Sequence, residues 1–179
     1  MRTWPIRLAA TLPDGGGLGL RELRRGDKGD LLSLRARNAA WLKPWEPTNP
    51  DGLALTMTFE QLRRRQAASI REGTLLPWVV TVDGAFAGQL NLMNIERRAF
   101  RSCTVGYWVG EEFAGRGVTP LALAIAGDFA LGEFGLHRLD VNIRPENHNS
   151  LAVVAKLGLR EEGLKRRYLH IAGAWRDHR

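Results

Sequence analysis

The alternation of apolar and polar residues predicts a strand and two helices in the first half of the chain. A flexible turn, "PDGGGLG", is followed by residues 18–25, in which Leu18, Leu20 and Leu23 face one side of a strand. Residues 27–42 and 58–73 have the spacing of helices, and the three prolines of "KPWEPTNP" separate them. Thr58 and Gln61 have the spacing of a capping box at the start of the second helix, and Gly73 ends it.

The second half of the chain is richer in strands. Asp83-Gly84 lies between two apolar runs and predicts a tight hairpin. The strands expected after the second helix are 78–82, 85–95, 99–110 and 137–145, with helices at 121–134 and 149–158 and an antiparallel pair within 159–179 that turns at Ala172-Gly173. The first strands are expected to be antiparallel, and the later strand–helix–strand unit requires a parallel crossover. The pattern therefore predicts an α/β architecture, with one mixed layer of strands and helices on both faces.

Composition narrows the class of protein. With 179 residues, 44% hydrophobic and 25% charged, the sequence is typical of one globular domain spanning residues 1–179. No apolar run approaches the roughly 18 residues of a membrane helix, and no signal peptide is evident at the N-terminus. The single cysteine, Cys103, excludes an intramolecular disulfide and fits a cytoplasmic location. It lies in an apolar strand without an adjacent histidine, so we expect a core residue rather than a nucleophile.

A short glycine loop, "EEFAGRGVTP", joins a strand to the long apolar helix. Gly115 and Gly117 let the backbone bend, and Pro120 suits the first turn of a helix. The free N–H groups of that turn, the helix dipole and the charge of Arg116 would together bind a pyrophosphate. The spacing is neither that of a Walker loop nor the Rossmann fingerprint. By itself the loop is explained equally well as a tight strand-to-helix turn.

Four segments, in order along the chain, resemble the GNAT acetyltransferase superfamily and its RimJ/RimL-type branch. The central motif of the family is similar to "VGYWVGEEFAGRGVT", and the second half of that signature is similar to "NIRPENHNSLAVVAKLGLREEG". The closing segment "YLHIAGAWRDHR" and the early segment "WLKPWEP" resemble the RimJ-like branch. The resemblance covers the chain from about Leu18 onward.

The resemblance implies a GNAT fold, a mixed and mostly antiparallel sheet of about seven strands with helices on both faces. It implies that acetyl-CoA is the cofactor and that no metal is needed. In this family the pantetheine arm enters between two splayed strands, like an added strand, and here it would bond main chain near Trp108 and Val109. The pyrophosphate would bind the amides of Gly115, Arg116, Gly117, Val118 and Thr119. Glu112 departs from the family pattern, and we expect its carboxylate to point to solvent.

The same resemblance assigns two residues at the start of the later helix. Asn147 would contact the arm of CoA, and Ser150 would give a proton to the departing thiolate. Helix capping by Asn147 or Asn149 is the alternative interpretation of this segment. The N–H of Val109 or its neighbour would stabilise the oxyanion that forms during direct transfer.

The general base is the least defined part of the predicted site. Some family members carry an acidic residue just before the tyrosine of the penultimate strand, and here Arg167 precedes Tyr168. Glu46 is the leading replacement, either to hold the acceptor ammonium or to accept its proton, and an exposed loop glutamate is the alternative. Tyr168 and His170 are secondary hypotheses. Trp41, Trp45 and Trp175 would form the wall of the acceptor site or serve as packing residues.

The resemblance makes the N-terminal α-amine of a protein, possibly a ribosomal protein, the expected acceptor. The net charge of +7 favours polyanionic or phosphorylated partners. Basic clusters at 63–65, 97–101 and 165–167 are solvated surfaces or contacts with the ribosome. No membrane partner is expected, and the chain would be a monomer or homodimer. Two other functions stay open, acetylation of a small amine such as an aminoglycoside or polyamine, and a CoA-binding regulatory protein with weak catalysis.

Overall fold

Six strands form one sheet in the order in which they occur in the chain. The computed structural model describes residues 4–52 and 57–179. The strands are β1 Leu8–Thr11, β2 Gly17–Arg21, β3 Leu75–Val82, β4 Ala85–Glu96, β5 Ser102–Val109 and β6 Arg138–Val141. Neighbouring strands are antiparallel from β1 to β5, and β5 and β6 are parallel. Both the antiparallel first half and the parallel crossover are therefore confirmed.

Helices cover both faces of this sheet. They are α1 Lys28–Arg37, α2 Ala39–Leu42, α3 Phe59–Arg71, α4 Val118–Leu131 and α5 His148–Lys156. Val80 packs with α4 and α5 in the larger core cluster, whereas Val79 packs with Leu34 of α1 and Phe59 of α3 in the smaller one. Because successive residues of a strand point to opposite faces, α4 and α5 lie on one face and α1 and α3 on the other.

The expected sheet of about seven strands is divided in the structure. The strands β7 Lys165–Ile171 and β8 Ala174–His178 form a separate hairpin. The backbone of Arg179 exchanges two hydrogen bonds with Ile143, of 2.9 and 2.7 Å, just beyond the end of β6. The hairpin is thus attached to the continuation of β6. It does not extend the ladder, because β6 ends at Val141 instead of Pro145.

The helix predicted over 27–42 is broken at Asn38, which is buried and non-helical (φ −103°, ψ 16°). Its side-chain amide donates to the Leu34 carbonyl and to Glu112, both at 3.0 Å, and its oxygen accepts from the Glu111 N–H at 2.7 Å. These bonds tie α1 to the loop after β5 and offer the backbone an alternative to helix.

The turn and capping signals are confirmed. Thr58 Oγ1 accepts from the Gln61 N–H at 3.2 Å, and Gln61 Oε1 accepts from the Thr58 N–H at 2.8 Å. Asp83 (φ 50°) and Ala172 (φ 50°) are each followed by a glycine of positive φ, as two-residue hairpin turns require. Strand β1 was not predicted from the sequence. Its four residues, Leu-Ala-Ala-Thr, show no clear alternation of apolar and polar side chains, and none of them is buried in the structure.

Candidate active site

The strands β5 and β6 part halfway along β5. Their ladder runs from Ser102–Arg138 to Val105–Val141 and stops there, while β5 continues to Val109. The Gly110 N–H bonds to the Ala87 carbonyl of β4, and the Arg101 carbonyl accepts from the His137 N–H beside β6. Because bonding direction alternates along a strand, the odd-numbered residues of β5 face β6 and the even-numbered residues face β4.

This alternation decides which backbone groups face the opening. Tyr107 and Val109 direct their N–H and C=O groups into the gap, whereas those of Trp108 face β4. The Val109 carbonyl accepts from the Trp41 indole at 3.1 Å. At Val109 the N–H therefore faces the gap, as the predicted main-chain contact requires. At Trp108 both backbone groups face β4, and the Tyr107 backbone faces the gap in its place. The apolar run "TVGYWV" gave no means of telling the two orientations apart.

A cavity of about 1080 Å³ passes through the gap between the strands. It brings together nearly all the predicted site residues. Those in its wall are Glu46, Trp108, Val109, Gly115, Gly117, Val118, Thr119, Asn147 and Ser150.

Arg116 is the predicted site residue that does not line the cavity. Its guanidinium is paired with Asp14 of the β1–β2 turn, at 2.8 and 3.1 Å. Its charge is therefore already matched by a carboxylate, and only its backbone remains available to the cavity side of the loop.

The glycine loop forms an open helix N-terminus. Gly117 is the N-cap of α4, with φ 82°, and no side chain caps that end. The N–H groups of Val118 and Thr119 therefore have no intrahelical partner, and Pro120 has no N–H to satisfy. Gly115 has φ 77°, which a side chain would strain. These free donors and the helix dipole fit the diphosphate of CoA.

Glu112 is exposed and lies outside the cavity wall, as predicted, but its carboxylate is also bonded to α1. It is half exposed and accepts from Arg37 Nε at 2.9 Å and from Asn38 Nδ2 at 3.0 Å. Both partners lie at the end of α1, so its carboxylate is turned to that helix and its charge is partly balanced.

The start of α5 brings three polar residues together. Asn147 is the N-cap, with Oδ1 accepting from the Ser150 N–H at 3.1 Å. The hydroxyl of Tyr107 is buried and has no hydrogen-bond partner among the described residues. Burial raises the pKa of Tyr107, and the nearby Ser150 hydroxyl partly opposes that rise. Two hydroxyl groups, one of them unsatisfied, therefore adjoin the cavity next to a fixed helix end.

The side of the cavity predicted to receive the acceptor is lined by the segment between α2 and α3. Glu46 lines the cavity, but its carboxylate is ion-paired with Arg35. The guanidinium of Arg35 also lies 5.5 Å from the centre of the Trp108 ring. Trp41 and Trp45 line the cavity as expected. Trp175 does not: it is 48% exposed and packs on His170.

Two residues, Arg144 and His170, hold the segment between α2 and α3 in place. Arg144 lies 5.3 Å from the Trp45 ring and donates to the Pro44 carbonyl at 2.8 Å. Thr48 donates its N–H to the His170 carbonyl at 2.9 Å, and its hydroxyl contacts His170 Nδ1 at 2.8 Å. His170 is thus occupied in fastening the segment to β7.

Arg167, at the position where an acidic residue was expected, does not line the cavity. Its N–H donates to Asp177 Oδ1 at 2.7 Å, and its backbone has φ 49°. Its neighbour Tyr168 does line the cavity. Compared with the family members that have an acidic residue here, this chain therefore lacks a carboxylate on β7, and the arginine in its place does not line the cavity.

Cys103 is a core residue, as predicted. It is buried in the larger cluster, and burial, with a smaller contribution from Asp140, raises the pKa of its thiol to about 12. A thiol so rarely ionised is a poor nucleophile.

The comparison with known families decides the classification. Residues 18–160 match the Acetyltransferase (GNAT) domain. The chain belongs to the GNAT acetyltransferase family. This confirms the fold, the acyltransferase class and the use of acetyl-CoA that the resemblance implied.

Similar proteins place the chain near the RimJ/RimL-type branch. It is 30% identical to the ribosomal protein uS5-alanine N-acetyltransferase of Escherichia coli K12, covering 90% of this chain and 84% of the relative. The structure of Mycobacterium smegmatis RimJ in complex with CoA-disulfide superposes with a TM-score of 0.90 and 37% identity, over 98% of this chain and 85% of that one. The spermidine N(1)-acetyltransferase of E. coli K12 is 25% identical, over 93% and 85% of the two chains.

Within the described residues, no helix is both long and apolar enough to cross a membrane.

Proposed function

We propose that this N-acetyltransferase transfers acetyl directly to the N-terminal α-amine of a protein, such as a ribosomal protein, in the cytoplasm. The observation that carries the proposal is the parting of β5 and β6. The resulting cavity runs from the open N-terminus of α4 to the acceptor side at Glu46 and Trp108. An acyl carrier and an amine would thus meet from opposite ends of one channel.

The carrier end is built from backbone groups. The N–H groups of Val118 and Thr119, with those of Gly115 to Gly117, would hold the diphosphate. The backbone of Tyr107, at the edge of β5, would pair with the amide groups of the pantetheine arm, as an added strand does. The Val109 carbonyl accepts from the Trp41 indole, so at Val109 the N–H is the group that would face the acyl end of the carrier. Asn147 would orient the arm with its amide while its oxygen caps α5.

The chemistry requires few side chains. The thioester supplies an activated acyl carbon, which a neutral amine attacks. The Val109 N–H would donate to the carbonyl oxygen as negative charge develops on it. Ser150 would give a proton to the sulfur of the leaving thiol, and the adjoining Tyr107 hydroxyl would restore it. Glu46 would hold the acceptor ammonium near the Arg35 and Trp108 wall.

The lining of the acceptor side favours a peptide over a polyamine. A small polycation requires several carboxylates, whereas the part of the cavity wall that the structure describes contains two, Glu46 and Glu111, and the first is paired with Arg35. The arginines Arg35 and Arg144 lie on the same wall. The similarity to a spermidine acetyltransferase keeps the small-amine alternative in the experiment below.

The basic clusters give limited support to ribosome binding. Arg97 lies over the Phe134 ring and donates to its carbonyl, and Arg63 pairs with Glu60. These side chains serve the fold at least in part. The proposal for the acceptor therefore does not depend on them.

The experiment compares acceptors directly. Release of the CoA thiol is followed with peptides that begin with alanine or serine, with spermidine and with an aminoglycoside. Turnover with the small amines alone would overturn the peptide proposal. CoA binding without turnover of any amine would instead favour a regulatory protein.

Three substitutions test the assigned residues. Ser150→Ala is expected to lower kcat by about 10- to 100-fold with little change in CoA affinity. Glu46→Gln is expected to raise the acceptor KM. Gly117→Val would strain a backbone at φ 82° and place a Cβ 3.3 Å from Pro13, so CoA binding should be lost. Unchanged CoA binding by Gly117→Val, measured by calorimetry, would contradict the loop assignment.

A further inference from the structure

The proposed mechanism still needs a group that removes the proton of the acceptor ammonium. Glu46 is ion-paired with Arg35, and His170 is outside the cavity wall and bonded to Thr48. Arg167 cannot accept a proton at neutral pH. The base must therefore come from another titratable group in the wall of the cavity.

Among the titratable groups of that wall, His178 is a buried imidazole whose geometry suits a base. It is the last residue of β8 and is only 3% exposed, yet it lines the cavity. The two hydrogen bonds between Arg179 and Ile143 fix the backbone directly after it. Its ring packs against the Tyr168 ring at 5.4 Å in a T-shaped arrangement. The imidazole is therefore held in one place.

The hydrogen bonding of the ring fixes its tautomer. Nδ1 lies 3.1 Å from the Arg176 carbonyl oxygen. A carbonyl can only accept a hydrogen bond, so Nδ1 carries the hydrogen, and Nε2 of the neutral ring holds a free lone pair. No group among the described residues hydrogen-bonds to Nε2. The nitrogen that accepts a proton is thus available in a residue that lines the cavity.

The surroundings keep this ring neutral. Burial lowers the pKa of His178, the Arg176 carbonyl opposes that shift, and the charge of Arg144 adds to it. The charged and titratable groups around the ring are Arg144, Glu146, Lys165, Tyr168 and Asp177. Both carboxylates are engaged elsewhere: Glu146 accepts from Arg144 Nε at 3.2 Å, and Asp177 accepts from the Arg167 N–H. The ring is therefore in its basic form at neutral pH.

We propose that Nε2 of His178 removes the proton of the acceptor ammonium, directly or through one water molecule. This inference rests on the proposed function. In the step, an N–H bond of the ammonium breaks and the proton binds Nε2. The electron pair stays on nitrogen, which then attacks the acyl carbon. The imidazolium afterwards releases its proton to solvent.

The decisive variant is His178→Asn. The asparagine amide retains a donor for the Arg176 carbonyl and lacks any group at the position of Nε2. At pH 7 we expect kcat to fall by about 100-fold, and roughly tenfold of that loss should come from the protonated state of the amine. The acidic limb of the pH profile of kcat should move up towards the pKa of the substrate α-amine, near 7.7–8.0, so that about tenfold of the activity is recovered at alkaline pH and the rest is not. The affinity for CoA, measured by calorimetry, should not change.

The matched control is His137→Asn, which changes an exposed histidine outside the cavity wall and should leave the profile unchanged. If His178→Asn retains the wild-type kcat and acidic limb, the inference is wrong. The same holds if its loss of rate merely follows a loss of CoA affinity. His178→Gln, which places an amide near the position of Nε2, provides the measurement if the asparagine variant does not fold.

A second readout does not require turnover. In ¹⁵N NMR spectra of the wild-type protein, the His178 ring should show the Nδ1–H tautomer and a pKa below the ordinary histidine value. An Nε2–H tautomer would overturn the inference whatever the activity. Failure of the wild-type protein to acetylate any amine would overturn the proposed function, and the NMR result would still report on His178 itself.

Discussion

Substitutions of Asn147 separate its two assigned contributions, capping α5 and binding CoA. Its Oδ1 accepts from the Ser150 N–H at 3.1 Å, the only side-chain hydrogen bond at this helix end among the described residues. Removing an N-cap oxygen costs about 1 kcal/mol of folding free energy. For a chain of this size that lowers Tm by about 2–4 °C.

Asn147→Ala should therefore lower both stability and CoA affinity. Asn147→Asp should separate the two effects. The carboxylate retains the capping oxygen and interacts favourably with the helix dipole, worth about 0.3–1 kcal/mol. It lacks the amide donor, however, and loss of one hydrogen bond to the pantetheine arm corresponds to a decrease in affinity of about 3- to 10-fold. We therefore expect wild-type stability or better, with weaker CoA binding.

The measurements are urea denaturation of the free protein and calorimetric titration with CoA. Asn149→Ala is the matched control for stability, because the Asn149 side chain is exposed and makes no hydrogen bond to residues 4–52 or 57–179. Undiminished stability of Asn147→Ala would refute the capping argument. Wild-type CoA affinity of Asn147→Asp would leave Asn147 as a cap and nothing more.

Three further predictions follow from buried or paired groups. Tyr107→Phe removes a buried hydroxyl without a partner, so the free energy of unfolding in urea should be unchanged or slightly higher; a loss of more than about 1 kcal/mol would mean that the hydroxyl is satisfied. The pairing of Glu22 with Arg7 lowers the pKa of its carboxyl to about 2, although desolvation opposes the shift. Because that pKa is lower in the folded state, acid titration of stability should show a loss as pH falls from about 4.5 towards 2, and Glu22→Gln should make the loss smaller. Cys103 should resist a thiol reagent at pH 8 and react on denaturation, and rapid labelling of the native protein would contradict its burial.

The local signals in the sequence predicted those elements that depend on local physics. The turn at Asp83-Gly84 and the capping box at Thr58 were correct because backbone conformation and caps are decided by neighbouring residues. The break at Asn38 was not predicted. It depends on the amide of Asn38 meeting Glu111 and Glu112, more than 70 positions away in the chain.

The same distinction applies to the candidate site. The glycine loop and Asn147 could be found from the sequence because a helix N-terminus has a recognisable composition. The main-chain groups that face the gap could not be found from the sequence. A shift of one residue in the pairing of β4 with β5 would exchange Tyr107 and Trp108 as the residue whose backbone faces the gap. The ion pairs of Arg116 with Asp14 and of Glu46 with Arg35 could not be predicted from the sequence either, because each pair joins two segments that become neighbours only in the folded chain.

The early end of β6 links these observations physically. The sequence pattern allowed a strand to Pro145, yet the ladder with β5 stops at Val141. Had β6 remained paired, the backbone groups of Tyr107 and Val109 would be consumed by the sheet. Instead Ile143 bonds to Arg179, which brings β8, and with it His178, to the wall of the gap. The parting of the strands therefore exposes an edge for the acyl carrier, and the same displacement places an imidazole in the wall of the cavity that would receive it.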